Sequence, residues 1–139
     1  GSGIGFFTLS FLSLGHRVWA YDVDSTATKV LSENAQANQL DSKLEIHTVD
    51  LFKDTAQMPD SLDVVFVNPA RSGLKEFTKK ILNLKPKKII YVSCFPESMS
   101  KDIAQITVEN QYELETVKIV DQFPQTKHFE VISVLKLKQ

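Results

Sequence analysis

The chain has 139 residues, 42% of them hydrophobic and 24% charged, which suits one folded domain with a buried core and excludes a disordered tract. Its net charge of −1 lacks the basic excess of a self-sufficient nucleic-acid binder. One cysteine, Cys94, excludes an internal disulfide and any metal site built on several cysteines.

The chain opens on the glycine-rich run Gly1-Ser2-Gly3-Ile4-Gly5. Residues 4–14 read as a helix, with Gly15 as its cap. Arg17 to Tyr21 is rich in β-formers and reads as a strand, and Asp24 or Ser25 caps a helix running to about Asn38. Residues 44–49 read as a strand. Residues 62–67 are almost continuously apolar, as a strand covered on both faces should be. A helix over residues 74–84 ends at Pro86. A buried strand follows over residues 89–92, and then a helix over about 97–109 with Pro96 near its start. Residues 112–120 and 129–137 both alternate and read as an antiparallel pair.

This order predicts an α/β fold: a doubly wound, mostly parallel sheet closed by a C-terminal antiparallel hairpin, in a single domain over residues 1–139. The strand that should precede the glycine run is missing from the order. A doubly wound sheet places that strand at its centre, so its absence would leave neighbouring edges unpaired: either the chain is a fragment of a longer protein or the fold compensates for the loss. No signal peptide is visible and no apolar run is long enough to span a bilayer, so the expected location is cytoplasmic.

Glycines at Gly1, Gly3 and Gly5 permit a tight turn and a close approach of backbone to a ligand. The next strand ends on Asp22, at the spacing of an acid that hydrogen-bonds ribose hydroxyls. Asp50, after the following strand, is either an adenine-side contact or a solvated strand-end acid. The glycine run alone does not choose the cofactor.

Three further segments stand at the carboxyl ends of predicted strands, where open α/β sheets bind ligands. They are Asn68-Pro69-Ala70-Arg71-Ser72-Gly73, Ser93-Cys94-Phe95-Pro96, and the run from Asp121-Gln122-Phe123-Pro124 to His128-Phe129-Glu130. The Asn68 amide can read a ring by hydrogen bonds. Cys94 precedes a helix, a setting that favours a thiolate nucleophile, and the alternative is an inert cysteine. Glu130, two residues after His128, reads on its own as an exposed strand-end acid.

Together these segments resemble the RNA uracil-5-methyltransferase family, whose members show C-G-x-G-x-F, D-P-P-R-x-G, S-C-N-P and D-x-F-P-x-T-x-H-x-E in that order. This chain reads G-S-G-I-G-F, N-P-A-R-S-G, S-C-F-P and D-Q-F-P-Q-T-K-H-F-E. The resemblance implies a class I methyltransferase fold with S-adenosyl-L-methionine as cofactor, held by Gly1, Gly3, Gly5, Phe6, Asp22, Asp50 and Asn68. It implies Cys94 as the nucleophile that adds to carbon 6 of uracil and Glu130 as the base that removes the carbon 5 proton. Asn68, Arg71, Phe95 and His128 then face the substrate, a uridine of tRNA or rRNA that must be unpaired or flipped out. Three positions depart from the pattern: Asn68 for aspartate, Ala70 for proline and Phe95 for asparagine.

Full family members carry further N-terminal portions that grip RNA, so this chain alone is expected to bind RNA weakly. Two other readings stay open: a non-catalytic remnant that binds cofactor or a partner only, and a class I methyltransferase acting on another substrate. His16 and His47 stand far from any ligand-spaced partner, so no metal is expected. Trp19 and Phe66 read as core, and Lys85, Lys87 and Lys88 as a solvated turn.

Overall fold

The computed structural model describes residues 1–51, 53, 58–108 and 111–138. The chain divides into two compact units, Gly1–Gln57 and Met58–Gln139.

In the first unit, α1 (Phe6–Ser13) leads to β1 (Val18–Asp22), α2 (Ser25–Ala37), a 3-10 turn (Asp41–Lys43) and β2 (Leu44–Thr48). The predicted helix start at residue 4 moves to Phe6 because Gly5 takes the left-handed φ of 104°. Gly15, at φ 88°, follows the helix end as expected and donates its N–H to Leu12 O. Asp24 is the N-cap of α2, its carboxylate accepting from Thr26 N and Ala27 N at 2.8 and 3.3 Å. Strands β1 and β2 pair in parallel from Val18↔Leu44 to Asp22↔Thr48, with α2 as the crossover. Leu12, Ala20, Leu31 and Ala35 form the core of this unit. Trp19, expected in the core, is only half-buried, and the Arg17 guanidinium lies 4.6 Å from its ring centre.

In the second unit, β3 (Val64–Val67), α3 (Phe77–Leu84), β4 (Lys88–Ser93), α4 (Pro96–Val108), β5 (Tyr112–Val120) and β6 (Glu130–Leu137) build a four-stranded sheet in the order β3-β4-β6-β5. Strands β3 and β4 are parallel, while β6 runs antiparallel to both β4 and β5. This is the predicted closing hairpin, carrying a bulge between Leu114 and Thr116. The helix expected from residue 74 starts at Phe77, because Gly73 and Lys75 take left-handed φ values of 75° and 50° in a turn ahead of it. It ends on Lys85 in the left-handed conformation, followed by the buried Pro86. Phe66, also expected in the core, is half-buried. Lys87 lies exposed in the turn and pairs with Asp63, whereas Lys88, expected in the same solvated turn, is already the first residue of β4, half-buried, and pairs with Glu115. Ile81, Ile89, Tyr91, Ile106, Tyr112 and Leu135 are almost wholly buried.

Among the described strands, β1 and β3 each have a single hydrogen-bonded neighbour. Among the described residues, no helix is long and apolar enough to cross a membrane and no group of three or more metal-ligating side chains occurs. His47 instead stacks on Tyr21 with centroids 4.7 Å apart and bonds Glu45 at 3.0 Å.

Candidate active site

The first unit presents the glycine loop and Asp22 together. Strand β1 ends on Asp22, and the loop ahead of α1 folds back on it: Ser2 N donates to Tyr21 O at 2.9 Å and Gly3 N to Asp22 Oδ2 at 2.7 Å. Asp24 N donates to the other carboxylate oxygen at 3.0 Å. Burial pushes the Asp22 pKa up, but these backbone donors outweigh it, and the carboxyl is held below its usual range. A carboxylate offers about four acceptor positions, so these backbone bonds still leave capacity for a ligand hydroxyl. A Cβ on Gly1 would lie 2.8 Å from Asp22 Oδ2, which shows how closely bare backbone passes the acid. Ser2 Oγ is buried with no hydrogen-bond partner among the described residues.

Gly5 serves packing. At φ 104°, an added Cβ would lie 2.5 Å from Leu31 Cδ1 of α2. Phe6 is 78% exposed and touches Phe7 edge to face. Asp50 follows β2, beyond the same strand ends as Asp22, and pairs with Lys53 at 3.5 Å.

The second unit gathers the remaining candidates at one end of its sheet. Asn68 follows the carboxyl end of β3, and Cys94 follows that of β4. Strand β5 runs parallel to β4, so Asp121 lies at that end too, and antiparallel β6 begins there with Glu130. The β4–β6 register ends on Ser93↔Val131, so Cys94 follows the last paired residue of β4, while Glu130 opens β6 and pairs with Val120 of β5. Cys94 is exposed and Glu130 half-buried.

The turn at Cys94 is clamped locally. Ser93 Oγ accepts from Phe95 N at 2.9 Å, and Ser98 Oγ donates to Phe95 O at 3.1 Å. Pro96 opens α4, a position where its missing N–H costs no helical bond. Asn68 and Arg71 are exposed in the loop after β3, and Phe95 is half-buried. No acid among the described residues pairs with Arg71. His128 is exposed, its N–H donating to Thr126 Oγ1 at 3.1 Å while the Thr126 hydroxyl donates to Phe123 O.

One residue of this end was not singled out from sequence: Asp102 of α4. Its carboxylate is buried and accepts from Leu74 N at 2.7 Å and Tyr91 Oη at 2.6 Å. The sequence signal was available, because Met99, Asp102 and Ile106 recur at the spacing of an apolar helix face.

The model of the tRNA (uracil-5-)-methyltransferase family matches residues 2–138. An RNA methyltransferase of Bdellovibrio bacteriovorus is 36% identical, with 98% of this chain and 37% of that protein covered. The 23S rRNA (uracil(1939)-C(5))-methyltransferase RlmD of Shewanella sp. is 34% identical, over 97% of this chain and 30% of that protein. The crystal structure of the Pyrococcus abyssi tRNA (uracil-54, C5)-methyltransferase, in complex with S-adenosyl-L-homocysteine, superposes with a TM-score of 0.83 at 28% identity, covering 96% of this chain and 32% of that one. An rRNA methylase of Streptococcus thermophilus shares the fold alone, with a TM-score of 0.72 at 16% identity over 100% of this chain and 84% of that one. The chain therefore spans about a third of the length of the curated relatives it matches. The fold is that of the class I, Rossmann-like methyltransferases, and the chain belongs to the tRNA (uracil-5-)-methyltransferase family.

Proposed function

We propose that this chain is the catalytic part of an S-adenosyl-L-methionine-dependent enzyme that methylates carbon 5 of a uridine in tRNA or rRNA. The observation that carries the reading is that Cys94 follows the last β4 residue of the register, Ser93↔Val131, and Glu130 opens β6 at the same end of the sheet. A nucleophile and a base at one end of adjacent strands can serve adjacent carbons of one ring. On this reading the two units work as one catalytic domain, a view supported by a family match that runs through both. The site of action would be cytoplasmic.

The glycine loop fits the cofactor on its own geometry: bare backbone at Gly1 and Gly3, an orphaned hydroxyl at Ser2, and acceptor capacity on Asp22 for ribose hydroxyls. When bound, S-adenosyl-L-methionine supplies an electrophilic methyl group on a sulfonium. Phe6 would add apolar contact, with Asp50 and Asn68 on the adenine side and near the reacting end.

Carbon 5 of uracil is too weak a nucleophile to attack unaided. The Cys94 thiolate would add to carbon 6, forming a C–S bond and moving the ring's electron pair onto carbon 5 and the carbonyl oxygen. After methylation at carbon 5, the Glu130 carboxylate would remove the proton left there. The electron pair then re-forms the 5,6 double bond and expels the Cys94 thiolate. Asn68, Arg71, Phe95 and His128 would orient the ring and its phosphates.

The test uses an RNA transcript carrying 5-fluorouridine, incubated with the chain and S-adenosyl-L-methionine. Fluorine cannot leave as a cation, so the proton-removal step is blocked and a denaturation-resistant protein–RNA adduct should accumulate through Cys94. Full methyl transfer to ordinary uridine by Cys94→Ala would sink the covalent mechanism.

A further inference from the structure

The glycine that closes the loop after β3 has its reason on another element. Gly73 stands at φ 75°, and a Cβ there would lie 2.6 Å from Asp102 Oδ2 and 3.2 Å from Ser98 Cβ. The same Oδ2 takes both the Leu74 N–H and the Tyr91 hydroxyl. Asp102 is 6% exposed and Tyr91 fully buried.

A carboxylate this deep carries a desolvation penalty that an apolar residue on the same helix face would avoid. Two short charge-assisted hydrogen bonds offset it. Burial, and then the hydrogen bond to Asp102 and its charge, push the Tyr91 pKa far above that of an ordinary tyrosine, so the hydroxyl remains a donor.

The three elements joined here are the ones the chemistry needs in register. Tyr91 lies on β4, three residues before Cys94. Asp102 lies on α4, the helix that starts two residues after Cys94, and the Cys94 turn is bound to that helix through Ser98. Leu74 and Gly73 end the loop that carries Asn68 and Arg71, and Gly73 N closes its turn on Ala70 O at 2.9 Å.

We propose that Asp102 is a positioning residue that holds loop 68–73 against α4, so that Asn68 and Arg71 stay in fixed register with Cys94. The proposal rests on the uracil-methyltransferase reading, but its first readout does not. Asp102 touches neither ring nor cofactor. It acts through the loop, and its oxygen geometry matters more than its charge.

The test compares Asp102→Ala, Asp102→Asn and Gly73→Ala with the unaltered chain. Amide hydrogen exchange at Leu74 reports the loop without any substrate. Methyl transfer is measured on unmodified tRNA and 23S rRNA transcripts, and S-adenosylhomocysteine affinity by calorimetry. Asp102→Ala should raise Leu74 exchange at least tenfold and lower kcat by about 100-fold, the scale of a misplacement of about 1 Å, with a much smaller loss of cofactor affinity, since Asn68 is only one of the groups proposed to hold it. Asp102→Asn keeps an oxygen for both donors and should restore most of the rate. Should Asp102→Ala fail to fold, Gly73→Ala pushes the loop off an intact Asp102–Tyr91 pair and should show the same loss.

Unchanged Leu74 exchange in Asp102→Ala overturns the proposal, as does a freed loop with unchanged kcat, or an Asn variant as poor as the Ala. An unaltered chain that methylates no transcript sinks the functional reading and the catalytic role of the loop with it, while the exchange measurement still decides whether Asp102 holds the loop.

Discussion

Cys94 and Glu130 stand at one end of the same antiparallel ladder, each adjacent in sequence to a member of its last pair, Ser93 and Val131. That ladder has six backbone pairs between β4 and β6, whose buried faces carry Ile89, Tyr91, Val131 and Leu135. Sheet register is strongly specified where one face is buried, because a one-residue slip would turn every apolar side chain outward.

The proposed mechanism separates the roles of these two residues. On it, Glu130→Gln would leave Cys94 able to add to the ring while the carbon 5 proton stays. Product release should fall by about 10²–10⁴-fold, the usual range for losing a general base. A methylated, denaturation-resistant adduct with ordinary uridine RNA should build up and be visible on a gel. Wild-type turnover by Glu130→Gln would remove it from the mechanism.

Asp22 makes a prediction about pH as well as binding. Its folded pKa lies below its unfolded value near 3.8, so its contribution to stability is present above that value and is lost as pH falls through the folded pKa. Acid unfolding of the unliganded chain should lose part of its dependence on pH below about 4 in Asp22→Asn. In Asp22→Ala, S-adenosylhomocysteine binding should weaken by at least tenfold, in line with about 1.5–3 kcal/mol for hydrogen bonds to a charged group. Calorimetry checks the second and chemical denaturation at several pH values the first.

Gly5 is constrained by packing rather than by ligand. Gly5→Ala combines a left-handed φ of 104° with a Cβ 2.5 Å from Leu31 Cδ1, so something in α1 or α2 must shift. A loss of about 1–3 kcal/mol is expected, seen as a fall of several degrees in Tm by scanning calorimetry. An unchanged Tm would mean that Leu31 repacks without cost.

The near-neutral charge bears on RNA. With a net charge of −1, the chain should bind an unstructured RNA weakly at physiological salt, with a shallow dependence of log K on log salt. Filter binding across about 50–200 mM salt tests this. A tight complex with a steep slope would place the RNA grip in this chain rather than in the additional length of its relatives.

Most of the architecture was legible because each element carries its own signal. The alternation in β5 and β6, Pro96 at the first turn of α4 and Asp24 as a cap are local features that survive any packing. Helix starts were less legible. Residues 4 and 74 fit a helical pattern, but Gly5, Gly73 and Lys75 take left-handed angles that delay both helices. The candidate residues were visible as motifs, whereas what fixes them was not. Nothing near Gly73 in sequence announces Asp102, 29 positions on, because that contact exists only once α4 lies over the loop. Trp19 and Phe66 looked like core by type alone, and their partial exposure follows from their places in sheets with few strands.

The bulge in β5 bears on how the protein avoids its own kind. Strand β5 pairs on one side only, with β6, and it leaves Leu114, Val117 and Ile119 exposed, which is the profile of a template for unwanted strand addition. The register break beside Glu115 interrupts the row of backbone donors and acceptors along that edge, and Lys118 sets a charge between the two most exposed apolar residues. Both are features of the kind that keeps an edge strand from seeding aggregates, set here by one inserted residue and one lysine.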